Sequence, residues 1–157
     1  LNMRLFLLVL LSVTSIGASA SSLSFTGPQG CEAVFLANAL NRNLKWDDDA
    51  LRNDLSDKSV WVVCPIEFDP AVSEKIQVSV RIGNQGASTA EAFCYLKEID
   101  DVMNTIQGVN AIKDIAAGFT EILTLELNRR DTFATVSLTC RIPGEGQLGN
   151  YSVYATP

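Results

Sequence analysis

The chain has 157 residues, enough for one ordinary hydrophobic core, and carries a formal charge of −6 with no histidine. The acidic balance argues against nucleic acid and anionic lipid as partners. The missing imidazole removes Ser-His-acid and Cys-His catalysis, histidine zinc sites and a general base poised near neutrality.

Met3-Arg4, an apolar run over 5–13 and Ala18-Ser19-Ala20 form a basic start, a hydrophobic stretch and a small-x-small cleavage pattern. They predict a signal peptide over 1–20, cut after Ala20, with Leu1-Asn2 as an upstream extension. The apolar run is short for a membrane span. Losing Arg4 takes the remaining body, 21–157, to −7. Cys31, Cys64, Cys94 and Cys140 all follow the leader. An even cysteine number in an exported chain predicts two disulfides, with three pairings open. The absence of close cysteine pairs speaks against a structural zinc site.

Residues 21–30 are small and polar and read as an extended lead-in. The 32–44 stretch is ambiguous: Val34, Phe35, Leu36, Ala39, Leu40 and Leu44 could line a short helix, or the chain could be an irregular strand. Trp46 is followed by Asp47, Asp48, Asp49, Asp54 and Asp57. No glycine or closing glutamate fits an EF-hand, so a solvated acidic loop is expected, with another kind of calcium site as the alternative. Residues 60–64 form a strand with Val60, Val62 and Cys64 on one side and Trp61 and Val63 on the other. Pro65 should end it, because proline cannot donate to a ladder.

Residues 75–82 alternate cleanly, with Ile76, Val78, Val80 and Ile82 on the buried side. Gly83 to Gly86 turn the chain. Residues 91–96 follow as a strand that points Ala92, Cys94 and Leu96 inward. The stretch 97–119 is ambiguous again: Val102, Ile106, Val109 and Ile112 have nearly helical spacing, interrupted by Gly108 and Gly118. An edge excursion is expected, with a short helix in 102–117 as the alternative. Strands over 119–127, 132–141 and 148–155 complete the series. The last has Tyr151, Val153 and Ala155 opposite Ser152 and Tyr154. The expected fold is all-β: an antiparallel sandwich of about six to eight strands in a single domain.

Cys31, Val62-Val63-Cys64-Pro65-Ile66, Phe93-Cys94-Tyr95, Leu138-Thr139-Cys140-Arg141-Ile142-Pro143, a glycine turn and a closing tyrosine strand form a set. This set resembles a loose family of small secreted bacterial β-sandwich proteins of uncharacterised function. The resemblance implies bacterial origin and brings no catalytic or ligand residues. The favoured pairing is Cys31 with Cys64, pinning the lead-in to the central strand. Cys94 with Cys140 would then join two inward-facing strands and close the two-layer body across its inner face. Each bridge should contribute about 2–4 kcal/mol.

Neither Ser56-Asp57-Lys58 nor Ser73-Glu74-Lys75 has Ser-x-x-Lys spacing. Glu67, Asp69 and Glu74 could serve a carboxylate-based hydrolase, but loop acids are usually solvated. No glycine-rich phosphate loop appears. No catalytic residue, cofactor or metal is assigned. Binding needs only a presented face, and the candidate surface is Trp46, Trp61, Tyr151 and Tyr154, with Phe93 and Tyr95 as further aromatics. Asn150-Tyr151-Ser152 fits a glycosylation sequon. The expected function is a non-catalytic binding module, secreted or periplasmic, for an extracellular protein or glycan. The alternative is a structural or envelope-associated protein with no small ligand. No nucleic acid and no membrane span in the mature chain are expected.

Overall fold

The computed structural model describes residues 22–26, 28–34, 44–47, 49–69, 74–131 and 133–157. In chain order these form β1 (Ser22–Thr26), a 3₁₀ turn at Pro28–Gly30, β2 (Glu32–Ala33), β3 (Leu44–Asp47), β4 (Ala50–Asn53) and β5 (Val60–Pro65). Then follow β6 (Lys75–Asn84), β7 (Ala90–Ile99), β8 (Thr105–Ile115), β9 (Thr120–Asn128), β10 (Thr135–Ile142) and β11 (Gly146–Thr156). Among the described residues there are eleven strands, more than the six to eight expected, mainly because short pieces pair at the sheet edges.

One sheet runs β3-β4-β11-β6-β9, with β1 also pairing β11. The other runs β2-β5-β10-β7-β8. All strand pairs among the described residues are antiparallel. Alternation sets which side chains meet between the layers. Ile76, Val78, Val80 and Ile82 of β6 are all fully buried, as the sequence pattern requires. They pack with Leu123, Leu125 and Leu127 of β9, and face Val62, Leu96, Leu138 and Ile142 of the second sheet. Each such side chain stabilises the fold by roughly 1.5–3 kcal/mol relative to exposure.

Both favoured disulfides are present, Cys31 to Cys64 and Cys94 to Cys140. Their placement differs from the expected closure between layers. Cys94 and Cys140 are directly opposed on neighbouring strands β7 and β10, with Cα atoms 4.1 Å apart. Cys31 precedes β2 and continues its register against β5, which brings it opposite Cys64. Both bridges therefore staple neighbours within the five-stranded sheet. Apolar packing holds the two layers together. A hydrogen bond also links them, the Tyr151 hydroxyl of β11 donating to the Pro65 carbonyl of β5 at 2.6 Å.

The 102–117 stretch forms edge strand β8, not a helix. Its near-helical spacing sends Val109 toward the core and Ile112 to solvent, with Ile112 58% exposed. An edge strand that is open on its outer face does not need strict alternation. Most of 32–44 lies outside the described residues, while Glu32–Ala33 and Leu44 fall in strands. The expected acidic loop contains a hairpin, β3 paired to β4.

Candidate functional site

The four candidate surface residues do not share one face. Trp46 pairs with Leu51 in the β3–β4 hairpin, and its side chain lies outside the described set. Tyr151 is 1% exposed and belongs to the core, so it presents no ring to a ligand. Alternation with Val153 and Ala155 puts it there, and a bulge between Leu148 and Tyr151 lets Leu148 point inward as well. Tyr154 is exposed on the outer face of the six-stranded sheet, among Gln77 and Lys75 of β6. Trp61 lies on the outer face of the other sheet.

Trp61 has company there. Strand register places Trp61, Arg141, Phe93 and Ile112 in one row across β5, β10, β7 and β8. The next row is Val63, Thr139, Tyr95 and Asn110. Trp61 and Phe93 meet edge to face, with ring centroids 5.5 Å apart. The Arg141 guanidinium reaches from the strand between them to 5.8 Å from the Trp61 ring centroid and also pairs with Glu91. Tyr95 is held differently. A Cβ at Gly108 would overlap its ring, so the glycine lets the tyrosine lie over β8. The result is three half-exposed rings on one sheet face, interleaved with an arginine, a threonine and an asparagine.

The acidic residues among those described form no comparable centre. Asp54 accepts from Lys45 Nζ at 2.5 Å and from Arg52 Nε at 3.2 Å. The Lys45 hydrogen bond, helped by the positive charges of Lys45 and Arg52, holds the Asp54 carboxyl below its ordinary range. Its contribution to stability is therefore present above the unfolded pKa and lost as the pH falls through the lowered folded value. Among the described residues no group of three or more His, Cys, Asp or Glu is placed to hold a metal ion. Glu67 and Asp69 are exposed beyond β5, and the Glu74 carbonyl accepts from the Arg129 N–H.

Two cavities mark opposite ends of the sandwich. One, of about 500 Å³, is lined by Glu74, Lys75 and the 128–131 segment. Beneath that segment is a buried carboxylate that the sequence reading overlooked. Glu98, fully buried, accepts from the backbone N–H groups of Arg130 and Asp131 and from Gln107 Nε2. Arg129, also buried, stands 3.8 Å away and stacks over Phe68. This cluster ties down a loop, and none of the described residues that line its cavity is aromatic. The second cavity, of about 470 Å³, is lined by Glu91 and Arg141 and so borders the aromatic face.

No family model matches the chain, and no curated protein matches it in sequence. Solved structures do match in fold. The carbohydrate-binding module TmCBM27, described for specific mannan recognition, aligns over 88% of this chain and 99% of its own, with TM-score 0.51 and 10% identity. The CBM22-1 xylan-binding domain of Paenibacillus barcinonensis Xyn10C aligns over 88% and 94%, with TM-score 0.50 and 12% identity. The α-L-arabinofuranosidase MgGH51 aligns over 82% of this chain with TM-score 0.50 and 10% identity, but this chain spans only 23% of that enzyme. At such identities the likeness is one of fold. The chain is a small, disulfide-bonded β-sandwich built like carbohydrate-binding modules.

Proposed function

We propose that this chain is a non-catalytic glycan-binding module that works outside the reducing cytosol, and that it binds through the outer face of β5, β10, β7 and β8. The observation that carries this reading is the joint presentation of Trp61, Phe93 and Tyr95 on one sheet face. A sugar ring has an apolar C–H face that stacks on an aromatic ring, while its hydroxyls need hydrogen-bond partners. Arg141, Thr139 and Asn110 stand between and beside the rings to supply them. Mounting the site on strands fixes its geometry before ligand arrives, which reduces the ordering cost of binding. Mannan- and xylan-binding modules of the same fold support the ligand class. The leader expected over 1–20 and the two disulfides support export, to a bacterial periplasm or beyond the cell.

A panel of soluble polysaccharides, run by affinity electrophoresis and then calorimetry, tests the reading. At least one glycan is expected to bind, and Trp61→Ala is expected to weaken it about tenfold or more, or about 1.4 kcal/mol. Tyr154→Ala, on the opposite face, is expected to change affinity less than about twofold, or about 0.4 kcal/mol. Equal losses in the two variants would reject the assignment of the face.

A second reading, a structural or envelope-associated protein that docks to another protein, draws on the far end. There Val102, Met103 and Phe133 are 68%, 81% and 91% exposed in neighbouring loops. Silence across the glycan panel, together with a stable protein complex that Phe133→Ser abolishes, would favour it.

A further inference from the structure

The aromatic face does not stop at Trp61 and Phe93. Toward the end of the sandwich where β6 closes at Asn84, Glu91 and Arg141 continue from it into the 470 Å³ cavity. The remaining walls come from the β4–β5, β6–β7 and β10–β11 connections, which contribute Asp57, Ser88 and Glu145.

These connections are stitched to one another from below. Asn53, fully buried, donates through Nδ2 to the Lys58 carbonyl at 2.7 Å and the Pro143 carbonyl at 2.9 Å. Asn84, also fully buried, donates to the carbonyls of Ser88 and Ile115, each at 2.8 Å. The Glu145 N–H donates to the Leu55 carbonyl, and the Gln85 N–H to the Glu145 carbonyl. The cleft is thus shaped before any ligand enters, by buried amides that have all their partners within the fold.

Glu145 and Arg141 are among the charged residues that line this cleft. Glu145 has φ +54°, a left-handed conformation that glycine adopts without strain and glutamate does not, although it lies between Gly144 and Gly146. The Arg141 Nε–H is shut off from solvent, so what this residue can offer a ligand is its terminal NH groups, one of which is paired with Glu91.

We propose that this cleft is the specificity subsite of the aromatic face, receiving the hydroxyl groups of a neutral sugar unit next to the one stacked on Trp61. The proposal rests on the glycan reading above. Carboxylates accept strongly from hydroxyls, and a guanidinium donates to ring or hydroxyl oxygens. The cleft holds Asp57, Glu91 and Glu145 against Arg141, which is already paired with Glu91. Its sign is therefore negative, and a uronate or sulfated unit would meet like charge there. Neutral glycans bind and polyuronates do not.

The test uses the neutral polysaccharide that binds best in the panel, with polygalacturonate as the anionic probe. Glu145→Gly relieves the backbone while removing the carboxylate, so its urea midpoint is expected to stay or rise. Its affinity for the neutral glycan is expected to fall about tenfold, the share of one charge-assisted hydrogen bond. Asp57→Asn, on an exposed loop position, is expected to fall in the same direction and stands in if Glu145→Gly expresses poorly. Affinities within about twofold of the parent in both variants (about 0.4 kcal/mol) would overturn the subsite. So would a parent that prefers polygalacturonate. Loss with Trp61→Ala but not with Glu145→Gly or Asp57→Asn would keep the face and reject the cleft. A parent that binds no glycan would reject both.

Discussion

Replacing Glu98 by alanine is expected to cost about 3–5 kcal/mol in unfolding free energy, the penalty of breaking a buried charge pair by removing one partner. Much of that effect comes from the backbone. The Arg129 contact is long at 3.8 Å, whereas the N–H groups of Arg130 and Asp131 approach the carboxylate to 3.0–3.1 Å. Losing the acceptor leaves these donors and the Gln107 amide without their shared partner. It also removes the carboxylate 3.8 Å from Arg129, whose guanidinium keeps its two backbone carbonyls and its place over Phe68. A small domain has about 5–15 kcal/mol in total, so the variant should unfold at a much lower urea concentration. The paired change Glu98→Leu with Arg129→Met is expected to lose less than Glu98→Ala alone, because the buried guanidinium is removed together with the carboxylate. A loss below about 1 kcal/mol for Glu98→Ala would show that the loop does not depend on this carboxylate.

Removing the Cys94–Cys140 bridge by replacing both residues with alanine is expected to cost about 4 kcal/mol. That is the chain-entropy value for a loop closed over a sequence separation of 46. The Cys31–Cys64 bridge, with a separation of 33, should contribute a few tenths of a kcal/mol less. Together they approach the whole net stability of such a domain, so full reduction should unfold it. Loss of either one alone should leave a folded sheet with a lower urea midpoint. Three of the four sulfurs belong to fully buried residues, so reduction in native buffer should be slow and limited by opening of the five-stranded sheet. Rapid reduction without loss of β-sheet signal would contradict this.

Much of the sandwich can be read from alternation. The inward set of β6 is visible as Ile76, Val78, Val80 and Ile82, and Cys94 and Cys140 fall on inward positions of their own strands. The same rule carried one step further finds the buried polar anchors. Ala92, Cys94, Leu96 and then Glu98 share a face, as do Val80, Ile82 and then Asn84. Tyr151 alternates with Val153 and Ala155, so its place in the core is legible too, against its selection as a surface candidate.

What alternation cannot supply is register. Nothing in the sequence says that Arg141 stands between Trp61 and Phe93, or that Tyr95 lies over Gly108. Trp61, Phe93 and Tyr95 stand out singly as candidates, and only strand pairing makes them one surface. The disulfide pairing is as expected while its geometry is not, because cysteines on neighbouring strands and on facing sheets look alike in sequence. Strand β8 is obscured because an edge strand with one open face has few constraints on its outer residues.

The most direct measurement is amide chemical-shift mapping of the ¹⁵N-labelled protein during titration with the best neutral polysaccharide from the panel. Perturbed signals are expected to cluster at Trp61, Val63, Phe93, Tyr95, Asn110 and Arg141, with the Trp61 indole N–H among them. Perturbations centred instead on Gln77, Ser79, Thr124 and Tyr154 of the other sheet, or on the 128–134 end, would contradict the account.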